Sequence, residues 1–128
     1  MTVRKYTLSK DERLSWKRYI DLLFSKGESF VAFPLRVVYL TVESTPLPPA
    51  SILVSVPKKR FRRAVKRNLL KRLVRESYRQ HKYEIVEPME VEGKQMLIAF
   101  LYIHKEICSY ETMEKGMLKA LTVLKSKV

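Results

Sequence analysis

The residues best suited to chemistry lie in one strongly basic stretch, residues 58–79. It holds 11 of the chain's 26 lysine and arginine residues but only one of its 13 acids, Glu76. The rest of the chain is close to charge balance, so the formal net charge of +13 is a local feature. A concentrated cationic stripe binds polyanions through phosphate contacts and the release of counterions. The charge pattern therefore predicts a nucleic-acid-binding surface.

A helix is predicted from Ala64 onward, because this part of the stretch has no glycine or proline and spaces its apolar residues three and four apart. At about 100° per residue the helix divides into two faces. The face predicted to be buried comprises Val65, Leu69, Leu70, Leu73, Val74, Ser77 and Tyr78. The polar face comprises Ala64, Asn68, Lys71, Arg72, Arg75 and Arg79. There the short Asn68 can meet a base edge, a phosphate or a 2′-hydroxyl.

The start of this helix has no Ser, Thr, Asp or Asn in a capping position. Its free amide groups, preceded by a run of bases, would therefore suit a bound phosphate. The alternative is a solvated basic helix whose charges only keep the protein soluble. Crowding like charges on one narrow face costs self-repulsion that solubility does not require, so we favour nucleic-acid binding.

The sequence contains no recognisable catalytic or metal-binding constellation. Its two histidines and its single cysteine, Cys108, lack the spacing of zinc ligands. Its three glycines are too scattered to build a phosphate-cradling loop, and no nucleophilic Ser or Cys motif is present. The acids within residues 84–92 are placed in no predicted cleft. We therefore predict no catalytic and no metal-ligating residue, as in a protein that binds RNA while something else does the chemistry.

The composition indicates one globular domain over residues 1–128, with 46% hydrophobic and 30% charged residues. A single cysteine excludes an internal disulfide and fits a reducing cytoplasm. No signal peptide and no apolar run of transmembrane length is recognisable, so neither export nor a membrane partner is expected. The basic helix is also predicted to lie between two strands, which does not leave it free to lie on a membrane surface.

The predicted elements run helix, strands, helix, strand, helix, which is an α+β sandwich with helices on one sheet face and the other partly open. Residues 1–8 are expected to form a mobile tail. A capping box at Ser9 and Glu12, or a cap at Ser15, is expected to begin a helix that Gly27 ends. Strands are predicted at residues 28–33, 35–43, 51–56 and 95–103, loops at 44–50 and 81–93, and a final helix after Ser109.

The pattern Ala64-Val65, Arg67-Asn68 and Lys71-Arg72 resembles the signature helix of the bacterial ribonuclease P protein component. Residues 55–59 resemble the strand end and basic loop that precede this helix in the family. The resemblance extends over nearly the whole chain, through the aromatic-bearing first helix, a tyrosine-bearing strand and the C-terminal helix.

The resemblance implies the fold of the second domain of ribosomal protein S5, with a left-handed βαβ crossover. It also implies the protein subunit of ribonuclease P, a cytoplasmic endoribonuclease (a hydrolase). In that ribonucleoprotein a catalytic RNA removes the 5′ leader of precursor tRNA. Mg²⁺, held mainly by the RNA, would be the cofactor, and neither an organic cofactor nor an obligate protein partner is implied.

By motif position the resemblance assigns two sets of binding residues. Contacts to the catalytic RNA are expected from Lys59, Arg60, Ala64, Arg67, Asn68 and Arg72. The cleft for the single-stranded leader is expected to comprise Ile20, Phe24, Tyr39, Asn68, Lys71 and Arg75. Two departures from the family stand out. Ile20 replaces a common aromatic, for which Tyr19 or Trp16 is a candidate substitute, and the loop lacks the usual glycine near Arg62.

Two other functions remain open at this stage. The first is a ribosome- or nucleoid-associated basic module that binds RNA or DNA and has no processing role. The second is a self-sufficient nuclease, which the missing acid, base and metal cluster disfavours. The specificity of the pattern over residues 64–76 favours the ribonuclease P subunit over both.

Overall fold

The computed structural model describes Tyr6 and residues 8–128. The prediction of a mobile tail lies outside the described residues for positions 1–5 and 7. The elements are α1 (Lys17–Lys26), β1 (Glu28–Ala32), β2 (Leu35–Val42), β3 (Ala50–Ser55), α2 (Ala64–His81), α3 (Tyr83–Glu92), β4 (Gln95–Tyr102) and α4 (Tyr110–Ser126), preceded by a short 3₁₀ turn at Lys10–Glu12. This arrangement confirms the predicted α+β class.

The four strands form one sheet in the order β1-β2-β4-β3. Only β3 and β4 run parallel; the pairs β1–β2 and β2–β4 are antiparallel. The chain therefore crosses over from β3 to β4 through α2 and α3. The left-handedness of this crossover, which the resemblance implies, stays a prediction.

Each sheet face has its own core, because successive strand residues point to opposite sides. On one face, strand residues such as Val37 and Tyr39 pack with buried residues of α2, α3 and α4. On the other face, Tyr19 and Leu23 of α1 pack with Val38, Leu97 and Ala99. The second face is therefore partly covered by α1, whereas the sequence predicted helices on one face only. Among the described residues, no helix is both long and apolar enough to span a bilayer.

The loop predicted over residues 81–93 was wrong, because Tyr83–Glu92 form α3. Ile85, Val86 and Met89 supply its buried face, and Gly93 ends it in the left-handed conformation (φ 66°). Pro88 lies inside the helix, where it removes one backbone donor, and the apolar packing holds the helix despite this loss.

The capping box at Ser9 and Glu12 forms as predicted, but it caps the 3₁₀ turn rather than α1. Helix α1 begins later, at Lys17, after Trp16, whose side chain makes no capping hydrogen bond. Between the turn and α1 the chain runs along the outer edge of β3, where the Leu14 amide donates to the Ile52 carbonyl over 2.6 Å. This N-terminal segment thereby covers part of an edge that would otherwise expose unpaired backbone groups.

Candidate nucleic-acid interface

Helix α2 begins at Ala64 as predicted, and no side chain caps its first turn. Its core contacts start at Leu70 and continue through Val74, Ser77 and Tyr78. The Tyr78 ring lies 5.7 Å from the Phe100 ring of the central strand. The buried second half of α2 therefore fixes the helix on the sheet, and its first turns project beyond the core.

Two residues predicted to be buried on α2 are exposed instead. Val65 is 79% exposed and Leu69 is 41% exposed. Arg72, which is exposed, lies seven positions after Val65. Seven positions are close to two full helical turns, so the two residues share a helix face. Helical spacing alone therefore predicted too wide a buried face. The first turns of α2 present apolar as well as basic side chains to solvent.

The basic loop before α2, residues 58–63, is held in place by its own side chains. Phe61 is buried, and its ring lies 5.8 Å from that of Tyr102. Arg67 donates from Nη1 to the carbonyl oxygens of Phe61, over 2.7 Å, and of Arg62, over 2.8 Å. Arg60 donates to the carbonyl oxygen of Ile103. These contacts order a loop whose remaining cations face solvent.

A depression of about 510 Å³ lies between this loop, the start of α2 and the segment after β4. Its lining contains six bases and one acid, Glu106. The bases are Lys59, Arg60, Arg62, Arg63, Lys66 and Lys105. Because the uncapped amides of α2 start here, the helix dipole adds to the positive potential of these side chains.

A second concavity, the arginine groove, has a volume of about 520 Å³ and runs between α2 and the N-terminal segment. It is lined by Leu8, Arg13, Asn68, Arg72, Arg75, Glu76 and Arg79. Glu76 binds Arg79 through both carboxylate oxygens, at 2.9 Å from Nε and 3.0 Å from Nη2. No ion pair of the described residues involves the other three arginines.

Two arginines of the groove lie close enough to repel each other. Burial, and then the charge of Arg13, lower the pKa of Arg75 below its usual value. Arg13 was missed by the sequence analysis, because nothing in its local pattern indicates that it meets a helix some 60 residues later. Only the path of the N-terminal segment along β3 brings it there.

The structure brings together the residues predicted to contact the catalytic RNA. All six lie on the basic loop or on the first three turns of α2: Lys59, Arg60, Ala64, Arg67, Asn68 and Arg72. Five are exposed, and the half-buried Arg67 turns back onto the loop. Their role as RNA contacts stays a prediction.

The residues predicted for the leader cleft come from two helices and one strand. Asn68, Lys71 and Arg75 lie on α2, and Ile20 and Phe24 lie on α1.

Tyr39, the sixth residue of that predicted cleft, belongs to the core of the three-helix face, opposite α1. Its hydroxyl donates to Glu28 Oε2 over 2.8 Å, and burial together with this carboxylate raises the pKa of Tyr39. A shift of one residue along a strand moves a side chain to the other face, which a motif comparison does not detect.

The aromatic side chains at α1 divide into exposed and buried ones. Phe24 is 48% exposed and Trp16 is 52% exposed, with the Trp16 ring 5.6 Å from the ring of Tyr19. Tyr19 itself is 4% exposed, and the Arg18 guanidinium lies 4.9 Å from its ring centre. Of the two candidate substitutes for the aromatic missing at Ile20, only Trp16 therefore presents an open ring for base stacking.

Metal-binding chemistry finds no support on the described surface. Across Tyr6 and residues 8–128, no group of three or more His, Cys, Asp or Glu side chains lies close enough to hold a metal ion. The arrangement suits binding of a polyanion through arginine, lysine and exposed aromatic side chains.

Comparison with known proteins shows which protein family this chain resembles. The model of the family described as Ribonuclease P matches residues 8–125. The ribonuclease P protein component of Porphyromonas gingivalis is 44% identical over 116 residues, which cover 91% of this chain and 85% of that protein. The protein component of Chlorobaculum tepidum is 36% identical over 106 residues, covering 77% and 69%.

A solved structure gives the same result for the fold. The ribonuclease P protein from Thermotoga maritima superposes with a TM-score of 0.67 at 26% identity, covering 90% of this chain and 96% of that one. The chain therefore belongs to the ribonuclease P protein component family.

Proposed function

We propose that this chain binds the catalytic RNA of ribonuclease P and the 5′ leader of precursor tRNA, and thereby assists Mg²⁺-dependent removal of the leader. Membership of the family makes it a protein component of a tRNA-processing endoribonuclease with an RNA partner. The finer proposal assigns the recognition of both RNAs to the protein and the cleavage itself to the RNA subunit. The proposed site of action is the cytoplasm.

One observation carries the proposal: the basic loop and the exposed face of α2 collect cations that no carboxylate of the described residues neutralises. The single acid within residues 58–79, Glu76, is occupied by Arg79. Such a surface gains free energy when phosphates replace the counterions around it. The catalytic RNA is proposed to bind the loop and the first turns of α2, where Lys59, Asn68 and Arg72 are exposed.

The leader is proposed to contact α1 and the polar face of α2. The exposed rings of Phe24 and Trp16 offer stacking platforms for unpaired bases, and Lys71 and Arg75 offer cations for the backbone. Tyr39 takes no part in this proposal, because its hydroxyl is held by Glu28 on the opposite sheet face.

The decisive experiment is cleavage of precursor tRNA at low Mg²⁺ by the RNA subunit alone, the protein alone and the two together. Efficient cleavage at the mature 5′ end only by the mixture supports the proposal. No effect of the protein would favour the alternative of a ribosome- or nucleoid-associated binding module. Cleavage by the protein alone would point to a nuclease site outside the residues considered above.

A second experiment separates leader binding from general RNA binding. Replacing Lys71 or Arg75 by glutamine should weaken the affinity of the holoenzyme for precursor tRNA more than for mature tRNA, since only the precursor carries the leader. Equal losses for both ligands would contradict the leader assignment while leaving RNA binding itself intact.

A further inference from the structure

The arginine groove contains a charge arrangement that the sequence motif does not account for. Four guanidinium groups surround it and the one carboxylate, Glu76, is engaged by Arg79. Arg13, Arg72 and Arg75 are left without an acidic partner among the described residues. Like charges held this close repel one another, and a bound anion relieves that repulsion.

Arg13 is held in this position by both of its neighbours in the chain. Glu12 accepts hydrogen bonds from the buried Nζ of Lys82, at 3.0 and 2.8 Å. Leu14 is 4% exposed, and its amide donates to Ile52 over 2.6 Å. Anchors on each side remove most of the backbone freedom of Arg13, so little backbone entropy remains to be lost when its side chain binds a ligand.

The backbone of Arg13 also sets the direction of its side chain. Its φ of −91° and ψ of 121° are those of an extended strand, in which neighbouring side chains point to opposite sides. Leu14 enters the core beneath α1, so Arg13 points away from that core and into the groove beside α2. The fold therefore directs the exposed side chain into the groove that Arg75 also lines.

We propose that Arg13 is an additional RNA-binding residue and that it forms, with Arg72 and Arg75, a site for backbone phosphate. This inference rests on the proposed function and extends the RNA surface from α2 onto the N-terminal segment. Planar guanidinium groups from two separate elements can grip one phosphate from two sides, and each can donate two hydrogen bonds. The phosphate belongs either to the catalytic RNA or to precursor tRNA, two sources of the same chemistry.

The test uses the full-length protein with its RNA subunit and compares Arg13→Gln, Arg13→Lys and a control, Lys119→Gln. Lys119 is an exposed cation on α4 that lies outside the groove and outside the helices proposed to contact RNA. One arm measures affinity of the protein for the catalytic RNA as a function of salt concentration. The other arm measures affinity of the holoenzyme for precursor and mature tRNA in the same way.

In the arm that contains the true ligand, Arg13→Gln should weaken binding severalfold. It should also lower the slope of log affinity against log salt by about 0.7 for a single strand or about 0.9 for a duplex. Arg13→Lys should keep most of the slope because the charge remains, and Lys119→Gln should leave both affinity and slope near the wild-type values. A loss in the first arm identifies the catalytic RNA, and a loss confined to the second identifies the substrate.

Unchanged affinity and slope for Arg13→Gln in both arms would overturn the inference, as would a Lys119→Gln loss of the same size. A loss that Arg13→Lys does not rescue, accompanied by a lower melting temperature, would show a structural role instead. The proposed function itself would be contradicted by a different result, in which the wild-type protein neither binds the RNA nor assists cleavage.

Combining Arg13→Gln with Arg75→Gln should reduce RNA affinity by a factor smaller than the product of the two single factors, because both residues hold one phosphate.

Discussion

The Nη1 atom of Arg67 lies 2.7 Å from the carbonyl oxygen of Phe61, within the chain's own basic loop. An arginine that the family motif assigns to RNA contacts therefore uses one of its hydrogen-bond donors within the protein. The same nitrogen also reaches Arg62, at 2.8 Å, so one side chain holds two consecutive carbonyl groups. We infer that Arg67 positions the loop on which other cations meet the RNA.

Arg67→Ala should lower the free energy of unfolding by about 1–3 kcal/mol, since it removes charge-assisted hydrogen bonds to the carbonyl groups of Phe61 and Arg62, the first of them partly buried. Arg72→Ala is the matched control on the same helix and should change stability by no more than about 0.5 kcal/mol, because Arg72 is exposed. Urea denaturation measures both. Equal destabilisation by the two variants would contradict the bracing role.

Tyr39→Phe should cost about 0.5–1.5 kcal/mol of stability through loss of the hydrogen bond to Glu28. It should leave the ratio of precursor to mature tRNA affinity unchanged, because the side chain is buried on the face opposite α1. Phe24→Ala provides the comparison and should reduce that ratio. A reduced ratio for Tyr39→Phe would return this residue to the leader cleft.

Lys82→Met should destabilise the fold by about 3–5 kcal/mol, because it leaves the Glu12 carboxylate without its buried cation. The side chains of this pair are 5% and 18% exposed. Lys115→Met breaks a pair that is 77% and 79% exposed, and should cost less than about 1 kcal/mol. Thermal melting of both variants distinguishes the buried pair from the surface pair. Similar melting temperatures for the two variants would contradict the prediction.

Tyr78→Phe should make stability less sensitive to alkaline pH. Complete burial raises the pKa of the Tyr78 hydroxyl far above 10, its value in the unfolded chain. Above pH 10 the unfolded state therefore loses a proton that the folded state keeps, and the wild-type protein loses stability as pH rises. Denaturation at pH 8 and pH 11 should show a smaller difference for the variant, and an identical difference would refute the argument.

Gly116→Ala should destabilise the protein by about 1–3 kcal/mol through overpacking. A Cβ atom at this position would overlap the carbonyl oxygen of Phe33 and come within 2.8 Å of the Pro34 ring. Helix α4 would have to move away from the β1–β2 turn. Ala substitution at the exposed Lys119, on the same helix, should be nearly neutral in the same urea titration.

Periodicity and turn residues located most elements, because each signal is local. Helix α2, the central strand and the cap of α4 at Ser109 appear within a residue or two of their predicted places. Helix α3 was missed because Pro88 and four glutamates obscured the four-residue spacing of Ile85 and Met89. With Gly93 at the following end, that spacing was the available signal.

The candidate site was only half visible in the sequence. The basic loop and α2 could be predicted from the sequence, because a run of charged residues is a local feature. The position of Tyr39 on one face or the other depends on register within the sheet, which no local pattern fixes. Arg13 enters the groove only because a backbone bridge to β3 and an ion pair to Lys82 direct its segment there.

The contact between Glu12 and Lys82 also orders events during synthesis. The two residues are 70 positions apart, so this contact forms only after β3 and all of α2 have been translated. At about 5–20 residues per second this interval lasts several seconds. Because Lys82 directly follows α2, docking of the N-terminal segment against it comes after synthesis of the basic helix and completes the groove beside that helix.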